Sequence, residues 1–188
     1  MRKRGIPYTK VIARKDAFYI GIHDGRVVVM GDNGRGTAYG ILELSRMAGV
    51  SPWVWWGDVV PERKSRLELP AHFMTFQHPS VTYRGISLRD EEWSLRVWAG
   101  KRTDTRSETR KERSMEIGPE TCRKIFELLL RLRANTLYPS PDTHESLPDG
   151  EVPTSVSNGF LLEKDNRQLA DSFGILVGGP DIHGRLLN

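Results

Sequence analysis

The sequence has 188 residues, 38% of them hydrophobic and 28% charged, which is enough to fold around a core, and no apolar run approaches the ~18 residues of a membrane helix. Cys122 is the only cysteine, which excludes an internal disulfide and a cysteine-cluster zinc site. The net charge of +4 would suit nucleic acid, but "KRTDTRSETRKER" (101–113) mixes its bases with Asp104, Glu108 and Glu112, so it reads as a solvated loop and no nucleic-acid partner is expected.

The basic start "MRKRGIPYTK" has no apolar stretch behind it, so no signal peptide is visible in this chain. "DAFYIGIHDGRVVVMGD" predicts a hairpin, with β-rich runs at 18–22 and 26–30 on either side of Asp24-Gly25, a pair that accepts positive φ in a tight turn. "GRGTAYGILELSRMAG" predicts a helix with Ile41, Leu42, Leu44, Met47 and Ala48 as its apolar stripe and Gly49 as its stop. Residues 1–60 therefore read as the C-terminal half of a small α/β domain. In "VSPWVWWGDVVPERK", Trp53, Trp55 and Trp56 read first as rings sealing a domain junction and second as a sugar-stacking platform. Residues 61–80 are charged or flanked by proline and read as a linker.

From Val81 the rhythm becomes strand, helix, strand, helix, strand. "VTYRGISL", "NTLYP" and "GILVGG" are the strands. "GPETCRKIFELLLRLRAN" is the first helix, with Pro119 and Glu120 in its first turn, Arg131 and Arg133 at its negative end, and Ile125, Leu128, Leu129 and Leu132 facing inward. "EKDNRQLADSF" is a second, more polar helix. This alternation predicts a parallel sheet with right-handed crossovers. In such folds the functional loops follow the C-terminal ends of the strands. Those loops would carry Asp90, Glu91, Glu92 and Trp93, then Asp142, His144 and Glu145, then Asp181 and His183.

Several long stretches, in order, resemble one family. "RGTAYGILELSRMAGVSPWVWWGDV", "SVTYRGISLRDEEW", "KIFELLLRLRANTLYP" and "LADSFGILVGG" are similar to the glycoside hydrolase family 115 α-glucuronidases over roughly residues 30–188. The resemblance implies a small α/β domain leading into a (β/α)8 TIM-type barrel. It also implies inverting hydrolysis that removes 4-O-methylglucuronic acid linked α-1,2 to xylan. Residues 81–188 number 108, against ~250 in a complete barrel, so about three strands and two helices of an incomplete barrel are expected, in a fragment of a longer parent.

Inverting hydrolysis needs a carboxylic acid for the leaving oxygen and a carboxylate for water, roughly 6.5–9.5 Å apart. Adjacent acids in one loop point different ways, so one of them is expected to face the sugar and a later strand to supply its partner. Asp90 is the first candidate and Glu91 the second. Where the family pattern reads Asn-Asp-Glu-Asp-Trp, this chain keeps Asp90, Glu91 and Trp93, with Arg89 for Asn and Glu92 for the second Asp. Tyr138 is expected to stack on the sugar, while the histidine common in that second loop is replaced. In the third loop Asp181 and His183 stand, in altered form, where the family has a histidine and a glutamate. Arg89 and Arg185 are candidates to pair with the sugar carboxylate, which is costly to bury alone.

No metal is expected, because Asp90, Glu91, Asp181 and His183 have no recognised ligand spacing. The "GGP" and "GRG" stretches lack phosphate-loop spacing, so no nucleotide or other cofactor is expected. The expected partners are a glucuronoxylan-type polysaccharide and the remainder of the parent chain, with no membrane. A polymer substrate implies a secreted or periplasmic parent. The altered third loop leaves a second expectation open, a divergent glycan-binding relative without catalysis or a truncated inactive product.

Overall fold

The computed structural model describes residues 5–88, 95, 98–99, 117–139 and 164–178. The chain divides into two compact units, one of Met1–Arg84 with Leu130–Ala134, the other of Gly85–Leu129 with Asn135–Asn188.

The first unit opens with a short helix, α1 (Tyr8–Ile12), followed by the hairpin β1 (Phe18–His23) and β2 (Arg26–Gly31). Asp24 and Gly25 have φ of 52° and 70°, the two positive values that match a tight turn to the twist of its strands. Helix α2 (Gly34–Met47) starts at Asn33, whose side chain accepts from the Gly36 N–H at 2.8 Å. It ends at Gly49, φ 97°, where Gly49 N–H donates to Arg46 and Val50 N–H to Ser45, the paired closure that a left-handed residue allows.

The buried face of α2 differs from the expected stripe. Gly36, Tyr39, Gly40 and Glu43 are buried, while Ile41 is exposed. Gly36 and Gly40 are one turn apart and let the helix close on the hairpin, since a Cβ at Gly40 would meet Val29 and Phe18. A second difference lies in the stretch read as a linker. Within residues 61–80, β3 (Met74–Gln77) pairs antiparallel with β1, giving the order β2-β1-β3. The strand is anchored by Phe76, which packs with Ile6 and Met30 against a buried cluster of Val11, Ala17 and Tyr19. Such a short strand carries little periodic signal of its own.

The second unit contains β4 (Gly85–Leu88), α3 (Pro119–Arg131, of which residues to Leu129 belong here), β5 (Thr136–Pro139), α4 (Lys164–Ser172) and β6 (Leu176–Val177). The strands lie in the order β4-β5-β6, and both pairings are parallel, as strand–helix alternation predicts. Helix α3 buries Cys122, Ile125, Phe126 and Leu129, whereas Leu132 beyond its end is exposed. The core continues through Leu137, Ile175 and Val177, and the polar α4 contributes Ala170 and a buried Asn166 whose amide donates to the Ile117 carbonyl at 2.9 Å. Mixed helix and strand with a small parallel sheet makes this an α/β unit.

Candidate functional site

Parallel pairing puts the C-terminal ends of the three described strands of the second unit on one edge. Leu88 lies opposite Pro139, and Leu137 opposite Val177. The Gly178 N–H donates to the Leu137 carbonyl at 2.8 Å, carrying the ladder one residue past β6. Each strand end leads in sequence into a stretch marked out above. Arg89, Asp90, Glu91, Glu92 and Trp93 follow Leu88, residues 140–163 follow Pro139, and Asp181, His183 and Arg185 come shortly after Gly178.

Of the candidate residues, Tyr138 is the one described. It sits on the central strand opposite Ser87, exposed at 43% while its neighbours Leu137 and Pro139 are buried. Its ring lies against Gly178: a Cβ there would stand 2.4 Å from the ring. The absent side chain at Gly178, one residue past β6, thus lets an aromatic face lie across the strand ends, where a sugar ring could stack. Arg89, Asp90, Glu91, Glu92, Trp93, Asp181, His183 and Arg185 lie outside the described residues, as do Asp142, His144 and Glu145. Among the described residues no group of three or more metal-ligating side chains comes together, and no helix is long and apolar enough to cross a membrane. Trp53 and Trp55 are each about half exposed, and Trp56 is partly buried.

The first unit holds a charged cluster that sequence reading did not single out. Asp16, at φ 60°, is 1% exposed and takes Arg35 Nε and Nη2 at 3.0 and 2.8 Å, Arg84 Nη2 at 2.9 Å and Asn33 Nδ2 at 3.2 Å. Burial pushes its carboxyl up, but the hydrogen bonds from Arg35, Arg84 and Asn33 together outweigh burial and leave it below the ordinary value. Arg84 also donates through Nε to the Arg133 carbonyl at 2.8 Å, and through Nη1 to Val81 and Thr82 at 2.7 and 3.0 Å. Its remaining bond goes to the Tyr39 hydroxyl at 3.2 Å, and that hydroxyl donates to the Ala134 carbonyl at 2.9 Å.

A second knot forms at Glu43, which takes Arg46 and Arg133 at 2.7 Å each. The Arg46 hydrogen bond is the largest influence on its carboxyl and, with Arg133, holds it below the ordinary range against the upward push of burial. No periodicity announces these residues. The local sign is Gly36 beside Arg35 in "GRG", where a Cβ would stand 2.4 Å from the Ala17 carbonyl, next to Asp16.

The sequence model of glycosyl hydrolase family 115 matches residues 76–183. One similar solved structure is described as "A novel family GH115 4-O-Methyl-alpha-glucuronidase, BtGH115A, with specificity for decorated arabinogalactans". It is 45% identical, covers 93% of this chain and superposes with a TM-score of 0.75, while the match takes in 21% of its own length. This chain therefore spans about a fifth of that relative. No curated protein matches.

Proposed function

This chain belongs to glycosyl hydrolase family 115, and on that footing we propose that it forms part of an inverting glycoside hydrolase that removes (4-O-methyl)glucuronic acid side chains from xylan. The first unit, in which β3 carries the expected 1–60 domain on to Arg84, would belong to a small α/β domain, and the second unit, from Gly85, to the first strand–helix units of a (β/α)8 barrel. The observation that carries the reading is the parallel sheet β4-β5-β6, whose C-terminal ends run straight into the acidic, aromatic and arginine-bearing stretches.

Asp90 is the proposed site carboxyl, with Glu91 second. Asp90 would protonate the leaving oxygen or activate water, in concert with a carboxyl roughly 6.5–9.5 Å away from another strand end. Crowding Asp90, Glu91 and Glu92 together raises the cost of ionising all three, which helps keep one protonated at neutral pH. Glu92, Trp93 and Tyr138 would position the sugar, Asp181 and His183 would contact its hydroxyls, and Arg89 and Arg185 would meet its carboxylate.

The test is a protein carrying these 188 residues within their whole reading frame, assayed on glucuronoxylan and, because the solved relative favours them, on decorated arabinogalactans. Asp90→Asn should lower kcat by about 10²–10⁴-fold with KM little changed, and NMR should detect the β-anomer of glucuronate first. An initial α-anomer would overturn inversion. Full activity in both Asp90→Asn and Glu91→Gln would overturn the site assignment. The 188-residue chain by itself should release no glucuronate.

The altered third loop favours a second reading, a glycan-binding relative without catalysis. Binding of glucuronoxylan by the whole protein without turnover would select it.

A further inference from the structure

The first unit carries a pocket of about 280 Å³, close to the lower end of ligand cavities (roughly 300–1,000 Å³) and suited to a single sugar. Arg14 and Lys15, from the turn after α1, form one wall, and residues 78–82, after β3, form the other. Its floor is Asp16 and Arg84, and neither offers much to a ligand. Asp16 is neutralised by Arg35 and Arg84, and all five N–H donors of Arg84 are already taken within the unit.

The rim is different. Arg14 makes one side-chain hydrogen bond, from Nη1 to His78 Nε2 at 3.1 Å, and the Lys15 ammonium meets no acceptor among the described residues. Two cations with donors to spare therefore face one pocket whose own carboxylate is already compensated. The opposite wall adds Pro79 and Val81, which are apolar, and the Ser80 hydroxyl. A bare inorganic anion would use the cations and leave the apolar wall wet. A uronic acid would use all three features: its carboxylate on Arg14 and Lys15, its C–H face on Pro79 and Val81, and a hydroxyl on Ser80.

We propose that this pocket is a second glycan site, binding the uronic acid of a polysaccharide through residues other than the strand-end carboxyls; the choice of uronate rests on the glucuronidase reading above. It would hold a decorated chain by a side group that is not being cleaved, and would add affinity for the polymer over the free sugar.

The experiment is an NMR titration of the isotopically labelled 188-residue chain with methyl glucuronide, methyl glucoside and inorganic phosphate in separate series. The glucuronide should shift the amides of Lys15, His78, Ser80 and Val81, and the glucoside should not at the same concentration. Arg14→Ala with Lys15→Ala should weaken the glucuronide about tenfold or more. The thermal midpoint should hold, because both side chains are exposed. Absence of these shifts, or shifts indifferent to the double variant, would overturn the proposal. Phosphate binding as tightly as glucuronide would overturn the uronate assignment and leave a general anion pocket. Shifts at the pocket amides report the pocket alone, while turnover by the whole protein and its Asp90→Asn variant reports the catalytic assignment, so the two fail separately.

Discussion

Asp16 in the first unit and Leu137 in the second are equally closed to solvent, at 1% and 0% exposure, yet they hold their surroundings by opposite means. Leu137 is buried, as are Val177 opposite it on β6 and Ile175 just before that strand, and such burial stabilises by about 2 kcal/mol per large side chain. Asp16 gathers Arg35, Asn33 and Arg84, the last of them 68 positions away, and the attached Tyr39 reaches Ala134, 95 positions away. Desolvation cancels much of the gain from buried ion pairs, so their main contribution is direction. A parallel sheet stacks its strands by repetition, and its uncharged buried polar groups, such as Asn166 on the Ile117 carbonyl, are bonded singly among apolar filling. The first unit must bring Arg84 and the short segment Leu130–Ala134 onto a three-stranded sheet, and directional bonds decide where each goes.

The sharpest way to break that contrast is Asp16→Asn. Asparagine tolerates the φ of 60°, so the backbone is unaffected, but Arg35 and Arg84 lose their counter-charge at 10% and 17% exposure. Removing one partner of such a network should cost about 3–5 kcal/mol in urea unfolding. The pH dependence has a definite sign. Asp16 and Glu43 both have depressed folded-state pKa values, so their contribution is present above the ordinary values of 3.8 and 4.5 and is lost as pH falls through the lower folded ones. Asp16→Asn should therefore flatten the acid limb of the stability profile. A cost below about 1 kcal/mol would mean that packing alone orders the first unit.

The second unit should answer to steric rather than electrostatic change. A Cβ at Gly85 would lie 2.0 Å from the backbone oxygen of Thr136, its partner across β4 and β5, and that oxygen cannot move without opening the ladder. Gly85→Ala should cost about 1–3 kcal/mol. At Gly178 the obstacle is the ring of Tyr138, a half-exposed side chain that can swing away. Gly178→Ala should cost less than about 1 kcal/mol in stability but, under the function proposed above, raise KM for glucuronoxylan in the whole protein by displacing the ring. Equal stability losses in the two variants would show that the Tyr138 ring is fixed as firmly as the backbone.

The same contrast explains what the sequence made legible. The hairpin, its Asp24-Gly25 turn, the Gly49 stop and the three parallel strands follow from local chemistry, where turn residues and apolar runs sit side by side in the chain. The strand β3 and the buried face of α2 do not. Phe76 becomes an anchor only when Val11, Ala17 and Tyr19 are beneath it, and the buried Glu43 is met by Arg133 from 90 positions away as well as by Arg46 on its own helix. Helical periodicity therefore favoured Ile41, which is exposed, over Gly40, which is not. The candidate site divides likewise. Strand order places the strand ends, and Tyr138 with Gly178 comes from register, whereas partnering among Asp90, Asp181 and His183 depends on loops that carry no periodic signal.

The smallest predicted effect probes the first unit's charge from the other side. Burial raises the carboxyl of Asp32; the Asp16 backbone N–H pulls it back, and the negative charge of Asp16 pushes it up again. A carboxyl whose folded pKa lies above its unfolded value binds its proton more tightly in the folded state. Its ionisation therefore weakens the fold as pH rises through that value, the reverse of Asp16. Asp32→Asn should stabilise the chain at neutral pH by well under about 1 kcal/mol, and the gain should vanish below the ordinary carboxylate value of 3.8. The amide oxygen can still accept from Asn33 Nδ2, now at 3.1 Å from Asp32, so that hydrogen bond is preserved. In an Asp16→Asn background the gain should shrink, because one source of the upward push is gone. A gain unchanged in that background would assign the shift to burial alone and separate Asp32 from the ion network around Asp16.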